Sequence, residues 1–172
     1  MELAPAKLFA GKIAFALAPF CDRIEVAGSI RRGREHVNDI DIVCIPKGID
    51  GREGIIRRCR ERGHLLKNGG QYVEFVFAHP AGGGVQLDLW FAHGGKSDLF
   101  TGVPSNWGML LLARTGSKEH NIKLAAAAKR QGLTFSPHEG IKRDEEIIAS
   151  KTEEEIFASL GLAYVEPQRR EA

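Results

Sequence analysis

The apolar positions of the first twenty residues, Leu3, Leu8, Phe9, Ile13, Phe15, Leu17 and Phe20, lie among alanines and suit a helix better than a strand. They predict a leading helix over residues 2–20. Residues 23–27 alternate around Ile24 and Val26, then meet Gly28-Ser29, which predicts a strand turning into a short helix. Residues 39–45 are β-branched and apolar except for Asp39 and Asp41, and Pro46 and Gly48 bound this second strand. A helix over about 50–62 is expected to end at Gly63. Residues 71–78 and 85–91 read as paired strands joined through His79-Pro80-Ala81-Gly82-Gly83-Gly84. After Pro104 the pattern turns helical, first from Trp107 to Leu112, then over 118–130 with Ser117 as N-cap and Gly132 as terminator. Short extended pieces fall at 133–135 and 147–148. Thr152 opens a last helix with Glu155 three residues on, the pattern of a capping box. The sequence has no internal repeat and no low-complexity tract.

These elements predict an α+β fold: a mixed sheet with flanking helices over residues 1–103, followed by a small, mostly helical unit over 104–172. The composition, 43% hydrophobic and 27% charged in 172 residues, is that of a soluble globular chain. Residues 13–21, broken by Pro19, fall short of the ~20 apolar residues of a membrane span, so neither a span nor a membrane partner is expected. The N-terminus lacks the basic and apolar regions of a secretory signal. The three cysteines, Cys21, Cys44 and Cys59, have no CxxC spacing and read as reduced, cytoplasmic and mostly buried.

The net charge is only +2, but its distribution is uneven. Arg31, Arg32 and Arg34 cluster, Arg52, Arg57, Arg58, Arg60 and Arg62 crowd a later segment, and Lys118, Lys123, Lys129 and Arg130 follow. The acids Asp144, Glu145, Glu146, Glu153, Glu154 and Glu155 gather near the C-terminus. That asymmetry favours a polyanionic partner, although the run from 52 to 62 equally suits a solvated helix face.

The chemistry concentrates in residues 28–43. In a strand the side-chain period is two, so Asp39 and Asp41 project from one face while Ile40 and Ile42 supply packing. Two carboxylates at ~4 Å with an effective dielectric of ~20 repel by about 4 kcal/mol, which calls for a compensating cation. Hard oxygen ligands select Mg2+ or Mn2+. Asp88 is a third carboxylate among apolar residues, and pairing its strand beside the first brings all three together, enough to hold two ions. Gly28-Ser29 offers backbone N–H groups and a hydroxyl to a phosphate, and Arg32 adds a bidentate donor. Cation ligands, phosphate cradle and paired acids together indicate nucleotidyl transfer.

Gly28-Ser29, a nine-residue gap and Asp39-Ile40-Asp41 resemble the signature of the nucleotidyltransferase superfamily. Gly28-Ser29-Ile30-Arg31-Arg32-Gly33 is similar specifically to the family X DNA polymerases. Arg114-Thr115-Gly116-Ser117-Lys118-Glu119-His120-Asn121 resembles that family's thumb-entry motif as bacterial members write it, and residues 153–167 resemble its C-terminal helix and closing segment. The likeness runs from about Ile24 to Arg170.

The resemblance implies a nucleotidyltransferase palm over 1–103 and a thumb over 104–172. It implies that Asp39 and Asp41 ligate both of two Mg2+ ions, replaceable by Mn2+, with Asp88 joining them beside the primer 3′-hydroxyl. Ser29 and Arg32 would hold the β- and γ-phosphates of a dNTP, Thr115 and Gly116 would line its sugar, and Asn121 would touch the minor-groove edge of its base. The implied activity is DNA-directed addition of deoxynucleotides to a primer-template or gapped duplex, with pyrophosphate leaving, in short-gap repair. It would act as a monomer in the cytoplasm, with a bacterial nucleoid or a viral context compatible. Because the chain begins near the palm, neither a sugar-phosphate lyase nor an associated exonuclease is expected. Ala113-Arg114 stands where many relatives have two aromatics, a departure that bears on discrimination against a 2′-hydroxyl, and Ala125 stands where some place a template-contacting arginine, which predicts low fidelity.

Rival readings are a nucleotidyltransferase acting on an RNA 3′ end or a small molecule, and an inactive nucleic-acid-binding module. Trp90, Phe100 and Trp107 are expected in cores. The six histidines, His36, His64, His79, His93, His120 and His138, lack zinc-ligand spacing, and His120 is expected to be partly exposed on its helix.

Overall fold

A computed structural model describes residues 1–78, 82–94 and 102–171. His79, Pro80 and Ala81 of the expected strand connection, and Phe100, lie outside the described residues. The chain divides into two units, Met1–Phe91 and Ala92–Ala172.

The first unit runs α1 (Leu3–Leu17), a 3-10 turn (Ala18–Phe20), β1 (Cys21–Val26), α2 (Gly28–Arg31), β2 (Asp39–Pro46), α3 (Gly51–Arg60), β3 (Gly63–Asn68), β4 (Tyr72–Ala78) and β5 (Gly84–Phe91). Its sheet has the order β1-β2-β5-β4-β3; β2 and β5 pair in parallel and the other pairs are antiparallel. This is the mixed α+β architecture that the hydrophobic pattern predicts. Alternation divides each strand between core and site. Ile40, Ile42, Val73, Phe75, Leu87 and Leu89 join one core with Ala6, Ala10 and Leu17 of α1 and Ile55, Ile56 and Cys59 of α3.

Two sequence expectations need correction in this unit. Leu3–Phe20 is a helical stretch of 18 residues with mean hydropathy 1.3, long and apolar enough by those two criteria to cross a membrane. Counting only 13–21 missed it, because small alanines extend the apolar run. Ala6, Ala10 and Leu17 of this helix nonetheless pack into the sheet core, while Phe15 is 85% exposed. The second correction is β3, which was not expected. His64-Leu65-Leu66-Lys67-Asn68 has no β-branched residue, and pairing with β4 creates the strand, with the Gly69 N–H donating to the Tyr72 carbonyl at 2.8 Å. Arg52 is no solvated charge, since its Nη2 donates to Asn68 Oδ1 and the Gly69 carbonyl, both at 2.7 Å, and its guanidinium lies 5.1 Å from the Phe91 ring centre. Cys44 and Cys59 are buried and Cys21 half-buried, all free thiols, and burial pushes Cys59 up to about 12.

The second unit contains α4 (Trp107–Thr115), α5 (Lys118–Arg130), β6 (Thr134–Ser136), β7 (Gly140–Arg143), β8 (Glu146–Ala149), α6 (Glu153–Ser159) and a 3-10 turn (Pro167–Arg169). The expected caps form. Ser117 Oγ accepts the His120 N–H at 3.2 Å, and Thr152 Oγ1 accepts that of Glu155 at 3.1 Å. Met109, Leu112, Leu124, Ala128, Ile141, Ile156 and Phe157 build the core. Trp107 is buried, as expected. β7 was unforeseen; it pairs with both β6 and β8. His120 departs from expectation as well, being buried with its ring 5.7 Å from that of Phe157. Burial, then the charges of Arg170 and Lys123, push its pKa down.

Candidate active site

The parallel pairing of β2 with β5 sets Asp41 directly against Asp88, and Asp39 against Gln86. The antiparallel pairings continue the row, with Asp88 opposite Glu74 and Glu74 opposite Lys67. Three carboxylates and one ammonium therefore stand in register across β2, β5, β4 and β3. Like charges directly opposite are destabilising, so such a row forms only where cations offset it. At the β3 end Lys67 does so, with its Nζ 2.6 Å from Glu74 Oε2, and that contact holds Glu74 below the usual carboxylate range. On the next strand, β5, Asp88 is shifted the opposite way. Burial raises its pKa, Asp39 and Glu74 add to the rise, and donors from Gln86 Nε2 at 2.9 Å and Tyr72 Oη at 3.0 Å to Oδ1 only partly oppose it.

Gly28 and Ser29 border this row. The Ala27 N–H donates to the Asp41 carbonyl at 2.8 Å, which brings the start of α2 against β2. A Cβ on Gly28 would lie 2.0 Å from Asp41 Oδ2, and Gly28 has φ +59°, so both space and backbone require glycine. Gly28→Ala is expected to lower stability by about 1–3 kcal/mol and to displace the Asp41 carboxylate, measurable by urea unfolding. The Ser29 Oγ beside it is buried and has no hydrogen-bond partner among the described residues. A hydroxyl left in that state is suited to a ligand oxygen.

Among the described residues no three His, Cys, Asp or Glu side chains converge closely enough to hold an ion as they stand. The structure brings Asp41 and Asp88 side by side and leaves Asp39 one pleat along. Their donor chemistry, hard oxygen with an uncompensated carboxylate at Asp88, fits a divalent cation of the Mg2+ or Mn2+ type.

In the second unit Thr115 is fully buried at the end of α4, and Gly116 follows with φ +71°. Asn121, in the first turns of α5, donates from Nδ2 to the Ala113 carbonyl at 2.8 Å, and its Oδ1 is buried without a partner among the described residues. The turn is held from behind. Ser117 Oγ donates to the Arg170 carbonyl at 2.6 Å, and the Arg170 side chain is wholly buried, with Nη1 2.7 Å from Glu153 Oε1 and Nε donating to the Val165 carbonyl at 2.8 Å.

Sequence reasoning missed Tyr72, Glu74, Gln86 and Lys67. A signal was present for Glu74, a single carboxylate in an otherwise apolar strand. None was present for Lys67, whose strand was not recognised. Trp90, expected in a core, instead lies half-buried on the site face, with its ring 4.2 Å from that of Tyr72.

Residues 110–171 match the DNA polymerase beta thumb family. The DNA polymerase/3'-5' exonuclease PolX of Bacillus subtilis is 29% identical over 149 residues, which cover 85% of this chain and 24% of that protein. DNA polymerase lambda of Rattus norvegicus is 26% identical over 165 residues, covering 84% of this chain and 28% of that protein. The chain thus spans about a quarter of the length of these curated relatives.

Proposed function

We propose that this chain, a relative of the family X DNA polymerases, adds deoxynucleotides to a primer 3′-hydroxyl with release of pyrophosphate, on a primer-template or gapped duplex in short-gap repair. The observation that carries the reading is the register of Asp41 against Asp88, beside a glycine whose missing side chain makes room for the Asp41 carboxylate. Residues 1–103 act as palm and 104–172 as thumb.

Asp39, Asp41 and Asp88 would hold two Mg2+ ions, for which Mn2+ could substitute. When bound, such ions neutralise charge on the attacking and leaving oxygens of an in-line displacement at phosphorus. The chain's own residues position the reactants. The Ser29 hydroxyl, which has no partner among the described residues, takes the β- and γ-phosphates together with Arg32, the latter with two parallel N–H donors. Thr115 and Gly116 line the sugar, and the unpartnered Asn121 Oδ1 side faces the minor-groove edge of the incoming base. Lys118, Lys123, Lys129 and Arg130 on α5 meet duplex phosphates, so binding should weaken steeply with salt.

The test is extension of a labelled primer, both on a one-nucleotide-gapped duplex and as a single strand, with each dNTP separately in Mg2+ and in Mn2+. Addition of only the complementary nucleotide to the gapped substrate is expected. Untemplated addition would make the protein a terminal transferase. No addition under any condition would defeat the DNA polymerase reading and favour an RNA or small-molecule acceptor.

A further inference from the structure

We propose that Tyr72 is a positioning residue for Asp88, its hydroxyl directed onto that carboxylate by the Lys67–Glu74 ion pair. The Tyr72 Oη is 3.0 Å from Asp88 Oδ1 and 3.0 Å from Glu74 Oε2. A phenol has one proton to donate, so it serves only one of the two carboxylates at a time. Lys67 decides which. Its Nζ is 2.6 Å from Glu74 Oε2, the same oxygen that Tyr72 reaches, and an oxygen already facing an ammonium competes poorly for a second donor. The Tyr72 proton is thereby released to Asp88.

The consequence at Asp88 is an asymmetric carboxylate. Oδ1 receives both Tyr72 Oη and Gln86 Nε2, whereas Oδ2 receives no donor among the described residues. Two donors on one oxygen fix the rotation of the group and leave the other oxygen for the substrate side. The Tyr72 ring is itself held against Trp90 at 4.2 Å, so its hydroxyl is aimed by packing rather than by the carboxylates alone. Lys67 takes part from the surface, its side chain 67% exposed while that of Glu74 is 8% exposed.

The kinetic half of the test rests on the polymerase reading, and the binding half does not. Tyr72→Phe keeps the ring and its stacking but removes the donor; Lys67→Met removes the charge that directs it. Each variant, and the double variant, is compared with wild type in Mn2+ binding by titration calorimetry with the metal alone, and in kcat and KM for the complementary dNTP on a gapped duplex. Tyr72→Phe should lower Mn2+ affinity and kcat by about 10-fold each, the scale of removing a hydrogen-bond partner behind a ligating group, with the dNTP KM within about twofold of wild type. Lys67→Met should fall in the same direction by less. Because Lys67 acts through the Tyr72 hydroxyl, the double variant should match Tyr72→Phe alone.

Wild-type Mn2+ affinity and kcat in Tyr72→Phe, or losses that add in the double variant, would overturn the proposal. A wild-type chain that binds Mn2+ but extends no primer defeats the polymerase reading, and the Mn2+ comparison then decides the role of Tyr72 by itself.

Discussion

Asp88→Asn is expected to cut nucleotide addition by about 10^3-fold, the upper range for removing one charge-stabilising group from an active site, while unfolding at no lower urea concentration than wild type. The two halves of this expectation share one cause. Burial and the neighbouring charges of Asp39 and Glu74 hold the Asp88 carboxyl above its ordinary pKa. A carboxyl whose folded pKa lies above its unfolded value favours folding when protonated, so its ionised form works against the fold at neutral pH. Asparagine removes that charge and keeps an Oδ1 able to accept from Tyr72 and Gln86. A charge that works against the fold is the usual sign of a functional rather than a structural group, as the proposed role of Asp88 requires. Steady-state extension on the gapped duplex and urea unfolding of the same preparation check both halves. A clear loss of stability would instead make Asp88 a structural hydrogen-bond partner.

The second large effect falls on stability and lies in the other unit. Arg170→Met is expected to destabilise that unit by about 3–5 kcal/mol, because it takes the counter-charge from a Glu153 carboxylate that is 5% exposed and leaves it the Tyr164 hydroxyl at 3.3 Å. Arg170 also lies 5.6 Å from the Phe157 ring centre and 5.5 Å from that of Tyr164, so its guanidinium is enclosed by aromatic faces as well as by the carboxylate. Glu153→Gln should cost a similar amount. A double variant, Glu153→Leu with Arg170→Met, should be less destabilised than the sum of the two single changes, since apolar groups of similar volume leave no charge stranded. Urea unfolding followed by Trp107 fluorescence, in a Trp90→Phe background, reads this unit alone. Strict additivity would show that the two side chains stabilise separately. Because the Arg170 carbonyl accepts from Ser117, loosening this lock should also reduce order at Thr115 and Gly116, visible as faster amide exchange there.

The candidate site was legible in the sequence in proportion to how local its determinants are. The period-two alternation of residues 39–45 was enough to put Asp39 and Asp41 on one face, and Gly28-Ser29 was recognisable because the turn chemistry sits in adjacent residues. The caps at Ser117 and Thr152 were readable for the same reason, as each bonds within three residues. Beyond that range the signals fail. His64-Leu65-Leu66-Lys67-Asn68 carries little strand propensity, so β3 and with it Lys67 could not be found before β4 was there to pair with. No local pattern in Arg169-Arg170-Glu171 signals burial, yet Arg170 is fully buried, its guanidinium lying against the rings of Phe157 and Tyr164.

Sequence alone determined the mixed α+β class, the order of most elements, and the shared face of Asp39 and Asp41 with the turn at Gly28-Ser29, because each depends on periodicity or on neighbouring residues. Only the tertiary structure decided the register that lines up Asp41, Asp88, Glu74 and Lys67, the placement of Tyr72 between two acids, and the burial of Arg170. Register and burial are properties of pairing between distant segments. A shift of one residue in β2 against β5 would turn Asp39 and Asp41 to the core face without altering any local pattern.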